Sequence, residues 1–468
     1  MKEIEKKDQS QAAAIWVVAA VQFLTPFMFS AVGVALPAIG REFSASAVQL
    51  GLIEMAYVMG IALFLLPLGR FADIHGRKRI FLTGNLMITL TTLALSLAPT
   101  VNSFIILRFL QGACAAMITS TSLAILTSII PRERLGRAMG LVVSCIYIGT
   151  SVGPTLSGLM VEYLNWRWIF YGAVPIELTA LVFALTRLQG EWAGSRGQNF
   201  DWLGSILYMS SLFGIIMGIV ENHYFSAASR FAWGGFALLL FFLLYESRIA
   251  SPLIPLKTII TNRMFALSNI ATWLNYSASY GIVFFFSLYL QVIKGITPKH
   301  AGLVLIIQPV LQAVCSPFAG KMADRYQPAT IATAGMSLCT LGILFSTFLT
   351  ATSPFFMIYG VLILLGLGFG IFATPNNTAI MASISQRDYG MASSFVATMR
   401  TTGMLTSMTI ITVLLSHFLG NKPITAETGD EFEAAMKTAM VLFSILGVLA
   451  IGLSLGRTPQ WKKRPAGK

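Results

Sequence analysis

The stretch LGRFADIHGRKR, Leu68 to Arg79, directly follows the apolar run MAYVMGIALFLLP, Met55 to Pro67. Five charged residues and two glycines fill twelve positions, after thirteen positions without a charge. Such an abrupt change is typical of a helix that crosses a membrane and ends in a polar turn. The same alternation recurs along the chain, so this stretch indicates how the whole sequence is organised.

The composition predicts an all-α polytopic membrane protein. Of 468 residues, 56% are hydrophobic and 11% are charged, and the mean hydropathy is +0.74. About 20 mostly apolar residues cross ~30 Å of hydrocarbon as a helix, and the apolar runs are too long for the strands of a membrane barrel. We number fourteen predicted transmembrane helices as spans 1 to 14, near residues 13–38, 47–69, 80–98, 103–130, 135–163, 166–188, 202–220, 231–248, 264–290, 299–320, 328–350, 353–380, 389–418 and 434–456.

The basic residues predict the orientation. With a cytoplasmic N-terminus and the first apolar run retained as span 1, 23 of the 32 lysines and arginines lie in cytoplasmic segments and 7 in outer ones. This asymmetry follows the positive-inside rule and predicts a cytoplasmic-membrane protein with both termini in the cytoplasm. It also explains the net charge of +13 without nucleic acid. The four cysteines lie inside predicted spans without a CxxC pair, which indicates neither a disulfide nor a metal site.

The turn between spans 2 and 3 contains more than orienting charge. Gly69 and Gly76 permit close backbone approach or a positive φ angle. Asp73 can face a helix N-terminus or a cation, so the turn is suited to docking. The sequence GKMADRY at Gly320 repeats GRFADIH at Gly69 in its glycine, cation, alanine and aspartate. The chain therefore contains an internal repeat.

The spacing of this repeat predicts the domain organisation. The two copies lie 251 residues apart, whereas six spans with short loops take roughly 190 to 200 residues. The excess has the length of two helices, which are spans 7 and 8. We predict two pseudo-symmetric six-helix bundles, residues 1–190 and 251–468, with two additional linker helices in residues 199–250.

Further motifs resemble the major facilitator superfamily. GRFADIHGRKR is similar to the signature that this family has between its helices 2 and 3. The extra central pair resembles the fourteen-helix drug:proton antiporter branch, the multidrug efflux transporters. The supporting stretches are RFLQGACAA (Arg108 to Ala116) in span 4, GTSVGPTLSG (Gly149 to Gly158) in span 5, WRWIF (Trp166 to Phe170) and VALP (Val34 to Pro37).

The resemblance implies roles for these motifs. Span 5 is expected to seal against a helix of the other half in one of two alternating states, a pattern that in the family accompanies antiport; general helix packing is the alternative. The residues concerned are Gly149, Gly153, Pro154 and Gly158. The two repeated turns are expected to form a cytoplasmic latch that breaks when the inner side opens. Its residues are Gly69, Asp73, Gly76, Arg77, Gly320 and Asp324.

Charged residues inside the spans predict the site of proton coupling. The resemblance makes Arg108 the cation that modulates a neighbouring carboxylate, with extension to the headgroups as the alternative. The branch usually has an aspartate in span 1 where this chain has Met28, so the usual proton site is missing. Glu54 lies at nearly the depth of Arg108, and we expect it to take over coupling; a static ion pair is the alternative. Glu177 ranks second, because the resemblance places span 6 in an outer ring.

The remaining polar and aromatic residues predict an apolar cavity with sparse hydrogen bonding, suited to lipophilic or amphipathic molecules. Arg400 is a buried charge with no evident acidic partner among the C-terminal spans, and it has an anion or a backbone carbonyl as candidate ligands. The predicted cavity residues are Phe23, Phe27, Ser30, Gln111, Asn275, Tyr276, Gln308, Asn376, Asn377 and Arg400.

The sequence contains no phosphate-binding loop and no nucleophile motif. We therefore expect a transporter rather than an enzyme, without a cofactor and driven by the transmembrane proton gradient. The expected partners are the lipid bilayer, protons and a hydrophobic small molecule, and the protein is expected to act as a monomer. The predicted function is proton-coupled efflux by alternating access. The alternatives are export of a lipid or an endogenous metabolite with another coupling ion or none, import, and a non-transporting sensor or scaffold.

Overall fold

The computed structural model describes residues 2–130, 132–188, 190–194, 197–220, 228–249, 252–254, 256–385 and 389–457. These ranges contain fourteen helices that are long and apolar enough to cross a membrane and no β-strand, which confirms the predicted class. Spans 1 to 8 are the helices Lys2–Phe43, Ala47–His75, Arg77–Ser96, Val101–Ile129, Arg132–Tyr163, Trp168–Arg187, Trp202–Val220 and Ala228–Glu246.

The C-terminal spans include two interrupted helices. Span 9 runs through Arg263–Ser279, Ile282–Leu288 and the π-helical turn Tyr289–Ile293, and span 10 through Pro298–Leu305 and Ile307–Arg325. Spans 11 to 14 are Pro328–Ser346, Phe355–Ala382, Tyr389–Phe418 and Gly429–Leu455, and short helices occur at Leu256–Thr261 and Ala426–Thr428. Ser251, the predicted start of the C-terminal bundle, lies outside the described residues, so the domain boundaries stay a prediction.

The helix ends differ from the predicted ones where charge follows the apolar run. Span 2 was expected to end at Gly69, but its helix continues to His75, and span 3 begins at Arg77. A helix keeps its backbone hydrogen bonds when it leaves the hydrocarbon, so the first charge marks the membrane surface rather than the helix end. Between the two helices, Gly76 has a φ of +120°, a conformation that favours glycine.

The two halves repeat one helix-packing contact. Spans 2 and 4 approach each other at Gly60 and Gly112, where an added Cβ would overlap the facing backbone. Spans 10 and 12 approach each other in the same way at Gly366 and Gly370. Small residues permit this close approach of helices within a membrane. The repeat seen in the sequence is therefore also a repeat of helix packing.

The halves are joined tightly at the end of the bundle where span 1 ends and span 2 begins. We call this the outer end, because the sequence predicts that it faces away from the cytoplasm. Span 5 packs there on span 10, with Gly158 against the carbonyl of Pro298 and Gly302 against that of Pro154. Span 9 donates two hydrogen bonds to span 1, from Ser287 to the carbonyl of Gly33 (2.7 Å) and from Gln291 to that of Val34 (2.9 Å).

Spans 7 and 8 pack on each other and contact both halves through span 7. The hydroxyl of Tyr208 donates to the backbone carbonyl of Ala62 in span 2 (2.9 Å). Tyr208 also shares an apolar cluster with Phe395 of span 13. The additional pair therefore lies beside the contact between spans 2 and 13, which join the two halves.

The outer contact of span 5 gives a testable prediction. An alanine Cβ at position 158 overlaps the carbonyl oxygen of Pro298, whereas one at Gly140 of the same helix meets nothing within 4 Å. We expect Gly158→Ala to destabilise the closed structure by about 1–3 kcal/mol and to lower its melting temperature in detergent. Gly140→Ala should leave it unchanged or slightly higher, because alanine favours helix. Equal responses of the two variants would contradict the seal.

Candidate functional site

Five buried polar side chains form a continuous chain across the N-terminal half. Glu54 Oε2 lies 3.4 Å from Arg108 Nη2, and Arg108 Nη1 donates to Gln111 Oε1 at 2.8 Å. Gln111 Nε2 donates to the Thr92 hydroxyl (3.0 Å), which donates to Glu177 Oε1 (3.1 Å). All five side chains are buried. We call this set the polar chain.

Helix geometry places the members of the polar chain. Arg108 and Gln111 are three residues apart and therefore lie on one face of span 4. The close approach of spans 2 and 4 at Gly60 and Gly112 brings Glu54 within reach of that face. Span 3 contributes Thr92 and span 6 contributes Glu177, so four helices meet in one polar network.

Arg108 is fully buried and does not extend to the membrane surface. Its guanidinium carbon lies 4.2 Å from the centre of the Tyr57 ring, a cation–π contact. The alternative in which Arg108 reaches the headgroups is therefore wrong. Its ion pair with Glu54 is present. This pair is compatible with a role of Glu54 in proton coupling and with a static ion pair that only holds spans 2 and 4 together.

Glu177 lies closer to the centre of the half than the resemblance implied. It lines a small cavity of about 10 Å³ together with Met28, Asn85 and Gln111, close to the lower limit for one water molecule. Met28 occupies the position where the related branch has an aspartate. The cavity beside this methionine therefore still contains an acid, supplied by span 6 instead of span 1.

The polar chain retains unused hydrogen-bonding capacity. Glu54 Oε1, Arg108 Nε and Glu177 Oε2 are buried and have no hydrogen-bond partner among the described residues. The polar chain combines two carboxyl groups with one guanidinium. Because an unpaired charge is costly in a poorly hydrated interior, this composition is suited to binding and releasing a proton.

Glu54 also lies next to the contact between the halves. Gly51, one helical turn away, packs on Thr412 of span 13, and the Thr409 hydroxyl contacts the sulfur of Met55. Tyr280 of span 9 is close enough to interact electrostatically with Glu54 and Arg108. Glu54 therefore lies within one helical turn of contacts that join the two halves.

The turn between spans 2 and 3 docks inside the N-terminal half. Arg77 pairs with Asp73 at 2.7 Å and donates to the Ser128 hydroxyl at the end of span 4 (3.2 Å). Gly69 faces Ser120 of the same span. The turn is also bound to the segment before span 7, where Glu191 accepts from the backbone N–H of Lys78 (2.8 Å). An added Cβ at Gly76 would overlap Glu191.

The C-terminal copy of the turn has a different environment. Gly320 faces Thr374 of span 12, as Gly69 faces span 4. Asp324 is exposed and is part of no ion pair among the described residues. The glycines of the two expected latch turns therefore occupy equivalent positions in the two halves, and the latch itself stays a prediction.

Several predicted cavity residues pack between helices. Gly149 faces the backbone of Phe23, and Gly153 faces the Ser30 hydroxyl, which bonds to carbonyls of its own helix. Phe27 stacks on Phe23 with ring centres 5.7 Å apart. Gly149 and Gly153 therefore pack span 5 against span 1. The hydroxyl of Ser30 is occupied by carbonyls of its own helix.

The predicted cavity residues of the C-terminal half fall into three groups. Asn275 and Gln308 each keep one buried polar atom without a described partner. Arg400 lies close enough to Tyr276 to interact electrostatically with its hydroxyl. Asn376 and Asn377 diverge: Asn377 is exposed, whereas Asn376 is turned into the C-terminal half.

Three polar residues between the halves were not predicted. The Tyr147 hydroxyl of span 5 lies 3.0 Å from Ser316 of span 10, which lies 2.8 Å from Thr374 of span 12. Isolated serine and threonine hydroxyls in apolar helices usually bond to their own backbone, so the sequence offered no signal for Ser316 and Thr374. Thr92 of the polar chain was missed for the same reason.

A second cavity lies outside the predicted one. It is an apolar crevice of about 770 Å³ between spans 2 and 4 and the additional spans 7 and 8. Its walls include Phe64, Phe109, Phe213 and Phe231, and Arg230 lies at its edge.

Fold and site together define a polytopic helical membrane protein with a buried ionisable network next to the contact between two six-span halves. The sequence profile of the Major Facilitator Superfamily matches residues 18–266 and 268–468. The chain therefore belongs to this superfamily, whose members are membrane transporters rather than enzymes.

Curated relatives include exporters. The multidrug resistance protein Stp of Mycobacterium tuberculosis is 29% identical over 393 residues, which are 83% of this chain and 73% of that protein. The cephamycin export protein CmcT of Amycolatopsis lactamdurans is 28% identical over 95% of this chain and 94% of its own length. The riboflavin transporter RibZ of Clostridioides difficile is 27% identical over 82% and 85%.

Solved structures share the fold at low identity. A bacterial homologue of the human lysosomal transporter Spinster, inward-facing and unoccupied, superposes with a TM-score of 0.68 at 14% identity over 96% of this chain and 97% of its own. The nucleoside transporter NupG, as its D323A mutant, gives 0.65 at 13% identity over 97% and 100%.

The link between the two acids can be tested through Thr92. Thr92→Val keeps the shape of the side chain but leaves Gln111 Nε2 and Glu177 Oε1 without their partner. We expect a loss of about 1–3 kcal/mol for these unpaired groups, measured as a lower melting temperature in detergent. Thr121→Val is the matched control, because Thr121 is equally buried and bonds to carbonyls of its own helix. Equal losses in both variants would argue against the polar chain.

Proposed function

We propose that this chain is a proton-coupled exporter of lipophilic or amphipathic compounds that works by alternating access. The observation that carries the proposal is the polar chain, in which a buried arginine connects two carboxyl groups beside the contact between the halves. Transport by alternating access needs a group whose charge changes and a helix contact that responds. The polar chain contains both.

The balance of charges in the polar chain indicates how many protons it holds. One guanidinium neutralises one carboxylate, and a second buried carboxylate without a cation is costly. The polar chain therefore holds one proton more stably than none, with Arg108 paired to whichever acid is ionised. Glu54 contacts Arg108 directly, while Glu177 is reached through Gln111 and Thr92.

The outer contact provides the mechanical response. Protonation of Glu54 removes its attraction to Arg108, one turn from Gly51 where span 2 packs on span 13. Arg108 then gains freedom to move toward the Gln111 side. Loss of this ion pair weakens the outer end and its return strengthens it, so the charge of Glu54 is linked to the opening and closing of that end.

The substrate class rests on apolar surface and on the relatives. The phenylalanine-lined crevice beside spans 7 and 8 admits a lipophilic molecule from the bilayer. Asn275, Tyr276, Gln308 and Arg400 of the C-terminal half offer a few polar contacts to such a molecule. One relative is named for multidrug resistance and another for cephamycin export, and these names support efflux of such compounds.

A second candidate is export of an endogenous metabolite. Met28 in place of the branch aspartate favours a departure from the usual coupling, and one relative is named a riboflavin transporter. In either case we propose a monomer in the cytoplasmic membrane, with both termini in the cytoplasm and no cofactor.

The proposal is tested by gradient-driven efflux in proteoliposomes. An imposed proton gradient should drive transport of lipophilic cations and neutral amphiphiles by the parent protein. Glu54→Gln should keep downhill exchange but lose gradient-driven accumulation, because its side chain no longer binds and releases a proton. Glu177→Gln should weaken the accumulation without abolishing it.

Glu246→Gln is the matched control, a buried glutamate at the end of span 8 outside the polar chain. It should transport like the parent. Gradient-driven accumulation by Glu54→Gln at the level of the parent would remove Glu54 from coupling. If the gradient moves none of these compounds but moves riboflavin or another metabolite, the second candidate replaces the first.

A further inference from the structure

A polar pocket of about 510 Å³ opens at the cytoplasmic end of the C-terminal half, between spans 9, 11, 12 and 14. It lies at the opposite end of the molecule from the polar chain, and the proposed transport cycle does not use it. Two arginines line it, Arg263 at the start of span 9 and Arg457 just after span 14. The pocket wall contains no carboxylate among the described residues.

Arg457 is a buried cation with two unused donors. Its side chain is only 4% exposed. Nη1 donates to Asn376 Oδ1 at 2.7 Å, whereas Nε and Nη2 have no hydrogen-bond partner among the described residues. Burial lowers the pKa of Arg457 to about 10, so the guanidinium remains charged at neutral pH. A buried charge with unpaired donors is costly unless a ligand completes it.

Two helix N-termini add positive potential at the same place. Span 9 begins at Arg263 and span 11 begins at Pro328, and both residues line the pocket. The first turn of a helix exposes N–H groups and the positive end of the helix dipole. Asn262 caps span 9 by accepting from the backbone N–H of Phe265, whereas Gln327, which precedes span 11, makes no side-chain cap. The pocket therefore combines two guanidinium groups with two helix N-termini, an arrangement suited to anions.

The geometry selects the kind of anion. Nε and Nη2 lie on one edge of a guanidinium and present two parallel N–H groups, which match two oxygens of a phosphate or carboxylate. Arg263 lies close by. Its Nη2 is 3.6 Å from the place that an added Cβ would take at Gly456, the residue before Arg457. A phosphate group has a further oxygen for this second cation and the helix N-termini, whereas a carboxylate has none.

We propose that this pocket binds a phosphate monoester, as the headgroup of an anionic phospholipid of the cytoplasmic leaflet or as a soluble phosphate ester. The ligand completes the donor set of Arg457 and thereby stabilises its bond to Asn376. Asn376 in turn donates to Thr272 of span 9 (2.8 Å). Occupancy therefore fixes spans 9, 12 and 14 relative to one another at their cytoplasmic ends.

The test measures binding to the purified full chain in detergent at constant ionic strength. Three probes separate the sources: dioleoyl phosphatidic acid, glycerol 3-phosphate, which has the same phosphate without acyl chains, and dioleoylglycerol, which has the same chains without phosphate. The readouts are ligand retention in native mass spectrometry and the melting temperature over a titration. Neither readout requires transport, so the result is independent of the proposed function.

We expect phosphatidic acid to bind and dioleoylglycerol not to. Arg457→Gln and Arg263→Gln should each weaken binding at least tenfold. Arg263 is exposed, so its variant remains informative if Arg457→Gln fails to fold. Arg248→Gln, which removes an exposed cation after span 8 and outside this pocket, should bind like the parent.

The outcomes distinguish the sources and can overturn the site. Binding of phosphatidic acid alone identifies a lipid headgroup, and comparable binding of glycerol 3-phosphate identifies a soluble phosphate ester. If neither phosphate compound binds more tightly than dioleoylglycerol, the pocket is not a phosphate site. The same conclusion follows if Arg248→Gln weakens binding as much as Arg263→Gln does.

Discussion

The burial of Arg108 is the constraint on which the N-terminal half depends. A fully buried guanidinium needs a negative partner and further acceptors, which here are Glu54 of span 2 and Gln111 of span 4. The close approach of spans 2 and 4 at two glycines places Glu54 beside it. Gln111 and Thr92 extend the network to Glu177. The positions of spans 2, 3, 4 and 6 relative to one another are thus coupled to one charge.

The class of fold was predictable from the sequence because apolar runs of about 20 residues have few other stable structures in a bilayer. The repeat of GRFAD and GKMAD likewise predicted two related halves. The pairing of Glu54 with Arg108 was predictable from depth along each helix. The role of Glu177 was not, because helix rotation decides whether a residue faces lipid or core, and sequence distance does not report rotation. Arg457 was missed because a cation next to a basic tail resembles an orienting charge.

The two halves use the same packing but different connections. Gly69 and Gly320 occupy equivalent positions against spans 4 and 12. The N-terminal turn is covered by residues 191–194, whereas Asp324 of the C-terminal copy is exposed. Internal symmetry therefore describes the helices better than it describes the turns, where each half meets a different neighbouring segment. The C-terminal half has its own polar feature at this end, the pocket around Arg457.

The segment before span 7 is attached to the turn after span 2, and this attachment makes the additional helices part of the N-terminal half. Glu191 and Trp192 accept backbone hydrogen bonds from Lys78 and Arg77, and span 7 is held to span 2 by Tyr208. The additional pair is thus attached to the N-terminal half at two places, through the segment before span 7 and through span 7 itself. Spans 7 and 8 therefore cannot simply be removed. A twelve-helix chain without them would need a shorter connection that again provides acceptors for the backbone N–H groups of Arg77 and Lys78.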